Sequence, residues 1–299
     1  MAKLTGILSA LLTPFDAAER IDHDAVGPLV EFQVRLGVQG LYVGGSSGEA
    51  MLQGQAERAE YLRSVAACAA GRLPLVAHVG TTATRDALEL AEAAAEAGYQ
   101  AISAVTPFYY PFSRPEVMAH YRAIADASAL PLIIYNIPAI AQAFSVAELG
   151  ELLAHPRIIG VKHTSTDLFA LDRLRRHNPD ALIYNGYDEM CLAGLCMGAQ
   201  GAIGTTYNFM GDVFVEIARL VAASRLPEAQ RLQRMANVVI ETLIEVGVMP
   251  GSKALLEMMG VKVGGSRRPF RPVDDAGHAR LAAAIRPVLD WRDGMRKAA

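Results

Sequence analysis

A chain of 299 residues with 52% hydrophobic and 20% charged side chains has apolar material for a sizeable core, which excludes a disordered protein and fits one large α/β barrel or two ordinary domains. The formal net charge is -3, with no long run of either sign, and this argues against nucleic acid or an anionic membrane as the main partner. Three cysteines, Cys68, Cys191 and Cys196, form no CxxC pair and have no histidine ligands nearby; they read as buried small hydrophobes in a reducing compartment rather than as metal ligands.

The N-terminal stretch is apolar, but Thr13-Pro14 interrupts it and no small-residue cleavage pattern follows, so it reads as a first strand rather than a signal peptide. No uncharged apolar stretch approaches the ~20 residues of a membrane-spanning helix. The cytoplasm is the expected compartment. Strand signals then recur at residues 6–12, 40–43, 75–79, 101–105, 132–135, 158–162, 182–185 and 201–203, with amphipathic segments between them. Eight strands alternating with helices predict a parallel (β/α)8 TIM barrel over residues 1–209.

The helix signals are ordinary ones. The apolar period from Leu29 to Leu36 stops at Gly37, an alanine-rich helix opens at Thr84 and ends at Gly98, and Ser113…Glu116 and Ser145…Glu148 both have capping-box spacing. Residues 210–299 show no further strand signal and are punctuated at Pro227, 247–251 and 264–272. They are expected to form the final barrel helix and a C-terminal helical extension packed on the barrel.

In a parallel barrel the chemistry belongs where strands end and βα loops begin. Those positions carry Gly44-Gly45-Ser46-Ser47-Gly48-Glu49, Thr106-Pro107-Phe108-Tyr109-Tyr110, Tyr135-Asn136-Ile137-Pro138, Lys162-His163-Thr164, Asn185-Gly186-Tyr187-Asp188-Glu189 and Gly204-Thr205-Thr206-Tyr207. Polar and hydroxyl-bearing side chains therefore converge around one lysine.

Lys162 is one of only five lysines, with Lys3, Lys253, Lys262 and Lys297, and the one set at the polar end of an apolar strand. An amine in such a place is suited to Schiff-base formation with a ketone, since burial favours the uncharged nucleophile; the plainer reading is a lysine that snorkels to solvent. The GGSSGE loop combines glycines and two hydroxyls in a way that suits a carboxylate, although Ser46-x-x-Glu49 also has the spacing of a capping box. Tyr135 could exchange a proton with a substrate hydroxyl or be a satisfied core tyrosine. Asp188 and Glu189 could accept hydrogen bonds from a polyol or form an acidic first helical turn. His78 and His163 have no nucleophile to pair with and read as satisfied core or rim residues.

Taken together and in this order, GGSSGE, AVTPFYYPFS, YNIPA, GVKHTS, YNGYDE and GTTYN resemble the pyruvate-dependent class I aldolases related to dihydrodipicolinate synthase, and especially their sialic acid-cleaving branch. The resemblance is strong from about residue 8 to 208 and weaker beyond. It implies a homotetramer in which Lys162 forms a Schiff base with the 2-keto carbon, Tyr135 transfers protons, and Ser46 and Ser47 receive the substrate carboxylate. It further implies that Tyr109 reaches a neighbouring subunit's site and supports the Tyr135 relay with Ser46, while Thr164, Gly186, Asp188, Glu189 and Thr205 hold the hydroxylated chain of the sugar acid. The implied reaction is reversible cleavage of N-acetylneuraminate to N-acetylmannosamine and pyruvate, with no metal or organic cofactor because the lysine is the electron sink.

Ile140 stands where dihydrodipicolinate synthases usually place an arginine for their second substrate, which favours the sialic acid branch. Ser47 for threonine, Thr205 for serine and His163 for glutamine are the departures, and the first two keep a hydroxyl. Two other readings remain beside this one: an aldolase or dehydratase for another 2-keto-3-deoxy sugar acid, or a dihydrodipicolinate synthase-like enzyme. A non-catalytic metabolite-binding barrel is also possible on this fold, and the presence of both Lys162 and Tyr135 argues against it.

Overall fold

In a computed structural model that describes residues 4–298, β1 (Gly6–Ala10), β2 (Gly40–Val43), β3 (Leu75–His78), β4 (Ala101–Val105), β5 (Leu132–Asn136), β6 (Ile158–His163), β7 (Leu182–Asn185) and β8 (Gly201–Gly204) pair in parallel in chain order. β8 closes onto β1, with Ile7 opposite Ala202 and Ser9 opposite Gly204. All eight expected strands are present: β2, β4 and β7 have the expected ends, and the other five differ at their C-terminal end by one or two residues. The first is shorter than expected because the chain turns from β2 after the Leu11 N–H donates to the Tyr42 carbonyl at 2.9 Å: the Leu12 N–H donates instead to Asn208 Oδ1 at 3.1 Å. The fifth and sixth are longer, since Asn136 and His163 still pair in register. Lys3 lies outside the described residues.

Seven helices connect successive strands: α1 (Val26–Leu36), α2 (Gln55–Ala69), α3 (Thr84–Glu96), α4 (Arg114–Ala127), α5 (Val146–Leu153), α6 (Leu168–His177) and α7 (Cys191–Cys196). Gly37 ends α1 at φ 73°, a conformation that costs glycine little. At α5 the expected box forms in both directions, the Ser145 N–H donating to Glu148 Oε2 at 2.7 Å and the Glu148 N–H to Ser145 Oγ at 3.2 Å.

Side chains alternate across each strand. Leu8, Ala10, Tyr42, Val76, Ala101, Ile133, Tyr184 and Ile203 fill the barrel interior, and the intervening residues, such as Leu41, Ile134, Val161 and Ile183, pack outward against the helices. The interior is thus a packed core with its polar chemistry confined to the C-terminal rim. Gly160 on β6 is required by that packing, because a Cβ there would strike the carbonyl oxygen of Leu182 on β7.

After β8 the chain is helical: α8 (Tyr207–Ala222), α9 (Leu226–Val246), α10 (Val248–Met258) and α11 (Asp275–Ala298). The expected division at residues 209 and 210 falls inside α8, which is kinked at Met210 (φ -126°, ψ 23°). The Arg292 guanidinium of α11 grips this kink through the Phe209 carbonyl and the Asp212 carboxylate. α9 reaches the barrel mouth, where Gln233 Nε2 donates to the Asp188 carbonyl at 3.0 Å and Asn237 Nδ2 to the Glu189 carbonyl at 3.2 Å. Among the described residues no helix is long and apolar enough to cross a membrane.

Candidate active site

A cavity of about 500 Å³ opens at the C-terminal rim of the barrel, and Ser46, Ser47, Tyr135, Lys162, Thr164, Gly186, Asp188, Glu189 and Thr205 all line it. Of the expected site residues only Tyr109 lies elsewhere: it is 85% exposed on the loop after β4, at φ 77°, with its ring edge-on to Tyr110. Ile140, also outside the cavity, is exposed.

Lys162 sits at the cavity floor and is 5% exposed. Parallel register places it opposite Tyr135 on β5 and Tyr184 on β7, so the lysine and the tyrosine project to the same side of the sheet. Its Nζ lies 4.1 Å from the ring centroid of Tyr135 and 4.7 Å from that of Tyr42 on β2. Two π faces therefore meet any positive charge carried at Nζ, whether ammonium or iminium. Tyr42 is fully buried, donates its hydroxyl hydrogen to Ser103 Oγ at 3.0 Å and is held protonated because burial pushes its phenol well above the usual range. Neither Tyr42 nor this sandwich follows from the sequence, since nothing in Gly40–Val43 distinguishes a ring in the interior layer from one at the rim.

The GGSSGE loop departs from its helix-start reading. α2 begins only at Gln55, after a short 3-10 turn at Ala50–Leu52, and Glu49 caps nothing: it adopts φ 56° and turns its carboxylate inward. Ser46 is exposed to the cavity and Ser47 is buried, with Ser47 Oγ 2.7 Å from Thr205 Oγ1. That contact joins the hydroxyl expected to receive a carboxylate to one expected to hold the polyol.

Past the end of the adjacent strand β7, Asp188 is buried, and its Oδ2 accepts from both the N–H and the hydroxyl of Thr206 at 2.7 Å. Burial raises this carboxyl to about 6 against the two Thr206 hydrogen bonds, which pull it down. Glu189 beside it is half-buried at the rim. Thr164 Oγ1 is buried in the wall without a protein hydrogen-bond partner, a hydroxyl that a bound polyol would satisfy. A wall of Ile240, Leu243, Ile244, Val248 and Met249 from α9 and α10 closes the remaining side. The sequence gives no sign of this apolar wall, because it is brought to the mouth by packing of the C-terminal helices.

Both histidines are satisfied. His78 Nδ1–H donates to the Gly44 carbonyl at 3.1 Å and Nε2 accepts from the Val105 N–H at 3.2 Å; burial, with Arg58 nearby, keeps it neutral, well below the usual range. His163 lies between Asn136 Nδ2 and the Asp167 carbonyl, and burial lowers it too. The cysteines follow expectation only in part: Cys191 is buried, Cys68 half-buried and Cys196 exposed, all three free. Among the described residues no group of three or more His, Cys, Asp or Glu side chains is placed to hold a metal ion.

The model of the dihydrodipicolinate synthetase family matches residues 3–287. The chain is 67% identical to a protein of Rhizobium meliloti (strain 1021) named N-acetylneuraminate lyase, over 97% of each chain. Among solved structures, that of CdNal from Clostridium difficile in complex with mannosamine superposes with a TM-score of 0.93 at 35% identity, covering 95% of this chain and 99% of that one. A catalytic lysine mutant of the Ruminococcus gnavus sialic acid aldolase superposes with a TM-score of 0.94 at 29% identity, covering 98% and 99%.

Proposed function

The chain belongs to the dihydrodipicolinate synthetase family, and from that membership and the chemistry of its cavity we propose how it works as an N-acetylneuraminate lyase, a carbon–carbon lyase releasing N-acetylmannosamine and pyruvate. The observation that carries the mechanism is a buried lysine amine in a cavity also lined by Asp188, Glu189 and Thr164, whose hydroxyl is unpartnered.

Lys162 Nζ adds to the 2-keto carbon of the open-chain sugar acid and expels water, leaving an iminium between the faces of Tyr42 and Tyr135. Ser46 and Ser47 receive the carboxylate. Tyr135, at the same level on the neighbouring strand, passes its own phenol proton to Ser46 and takes the proton from the C4 hydroxyl as the C3–C4 bond breaks. The bonding electrons move into the iminium, giving an enamine, and N-acetylmannosamine departs as the aldehyde. Protonation of the enamine at C3 and hydrolysis of the resulting iminium return the free lysine and pyruvate. Thr164, Gly186, Asp188, Glu189 and Thr205 hold the hydroxylated chain, and no metal or organic cofactor enters any step.

The same reading extends to a homotetramer in which Tyr109 completes the proton relay, with Ser46, in a neighbouring subunit's site. It extends also to the cytoplasm, a reducing compartment in keeping with the free Cys68, Cys191 and Cys196. Pyruvate release from N-acetylneuraminate, followed through lactate dehydrogenase and NADH, tests the mechanism directly. Wild-type protein is expected to release pyruvate and Lys162→Ala none; cleavage retained by Lys162→Ala would refute the Schiff base.

A further inference from the structure

Beneath the serine loop lies a group of charges that the reaction as written leaves unused. Lys253 on α10 and Glu49 at the end of the loop form an ion pair of 2.9 Å, with side chains only 2% and 0% exposed. Lys253 Nζ also donates to the Gly265 carbonyl at 2.8 Å and lies 4.2 Å from the centroid of the Phe15 ring. The other Glu49 oxygen accepts from the Arg267 N–H at 2.8 Å. Arg267 is itself anchored by the Glu57 carboxylate of α2 and the carbonyls of Glu19 and Leu52.

A buried ion pair adds little net stability, because desolvating two charges offsets most of their attraction; its best-supported use is to enforce one conformation. Here the enforced conformation is a left-handed residue, Glu49 at φ 56°, where a side chain without such anchors would be disfavoured. Its neighbour is fixed as well: the Gly48 carbonyl accepts from Thr13 Oγ1 at 2.7 Å and from Gln53 Nε2 at 2.6 Å. The segment so held begins immediately after Ser46 and Ser47, which face the cavity.

We propose that Glu49 and Lys253 are positioning residues: the C-terminal extension, through this buried pair, clasps the loop in the one conformation that presents Ser46 and Ser47 to the substrate carboxylate. The inference rests on the Schiff-base reading and on the serines as carboxylate receivers. The clasp therefore governs how tightly a 2-keto acid is held, and leaves the intrinsic reactivity of Lys162 towards a carbonyl untouched.

Borohydride trapping, read by intact-protein mass, separates the two effects when pyruvate is compared with acetone, which offers a ketone without a carboxylate. In Glu49→Gln and in Lys253→Met the pyruvate concentration giving half-maximal trapping is expected to rise at least ten-fold while acetone trapping stays at the wild-type level. Should a single variant not fold, Glu49→Gln/Lys253→Met, which leaves no buried charge unpaired, is expected to give the same divergence. Wild-type protein supplies a test without substitution. Burial lowers Lys253 to about 8 despite Glu49; among the described residues the other charged group facing it is Arg267, itself paired with the Glu57 carboxylate. The ratio of half-maximal pyruvate to half-maximal acetone is therefore expected to climb as pH rises from 7 to 9.5, because any effect of pH on Schiff-base formation itself is common to both ketones. A ratio unchanged with pH in the wild type, or equal effects on both ketones in any folded variant, overturns the clasp. No pyruvate adduct in the wild type overturns the Schiff-base reading instead.

Discussion

Asp188 is held in opposition between two effects, and burial wins. Two short hydrogen bonds from Thr206 favour its carboxylate, yet desolvation raises the group from the ordinary 3.8 to about 6. Between those values the native state binds more protons than the unfolded chain, so stability falls as pH rises through that window, by about 3 kcal/mol at most. The ionised form above pH 6 is the better hydrogen-bond acceptor for a polyol. Function and stability are thus expected to move in opposite directions with pH. In wild-type protein, KM for N-acetylneuraminate should fall as pH rises from 5 to 7, and denaturant unfolding should show wild type losing stability relative to Asp188→Asn over the same range, the opposite contribution of the buried neutral His78 and His163 being common to both proteins. Asp188→Asn should lose the KM trend; a variant that keeps the wild-type pH dependence of KM would assign it to another group.

At the level of strands and loops, the close approach of β6 and β7 sets the shape of the wall proposed to hold the polyol. The Gly186 N–H donates to the His163 carbonyl at 3.0 Å, and a Cβ on Gly186 would fall on Thr164 Oγ1 and lie 2.8 Å from the Thr164 Cα. Gly186→Ala is expected to displace Thr164, raising KM for N-acetylneuraminate about ten-fold and destabilising the fold by about 1–3 kcal/mol, as overpacking does; steady-state kinetics and thermal unfolding check it, and an unchanged KM would mean that Thr164 makes no substrate contact. Such rim positions are legible in the sequence because a barrel strand announces itself as a short apolar run, and the residue that ends the run necessarily faces the βα loops. Lys162, Tyr135 and the 185–189 segment are found that way. Lys253 is not: within Val248–Met258 it looks like any helical lysine, and its burial is decided by Glu49 and Gly265, which only the folded chain brings to it. Glu49 was open to misreading for the same reason, since its spacing from Ser46 mimics a cap while its partners lie in the C-terminal extension. The apolar wall of α9 and α10 has no local signature at all.

For the whole molecule, the loop after β4 raises the question of what a single chain lacks. Tyr109 lies outside the lining of its own cavity, in a left-handed conformation that costs a bulky residue of order 1–3 kcal/mol. Tyr110, Phe112 and Ile140 add apolar surface, with Tyr110 61% and Ile140 57% exposed. A strained, exposed tyrosine within such surface fits a role fulfilled only on association with another copy, as the proposed tetramer requires. Complementation makes the distinction. Lys162→Ala protein lacks the nucleophile, and Tyr109→Phe protein keeps Lys162 but lacks the relay hydroxyl, so each alone is expected to be severely impaired. When the two are dissociated together and reassembled, a mixed oligomer contains sites in which a Tyr109→Phe chain supplies Lys162 and a Lys162→Ala chain supplies Tyr109. Pyruvate release is expected to return in the mixture and to be absent when the two proteins are combined without subunit exchange. If Tyr109 instead serves the site of its own chain, no mixed oligomer contains an intact site and mixing restores nothing.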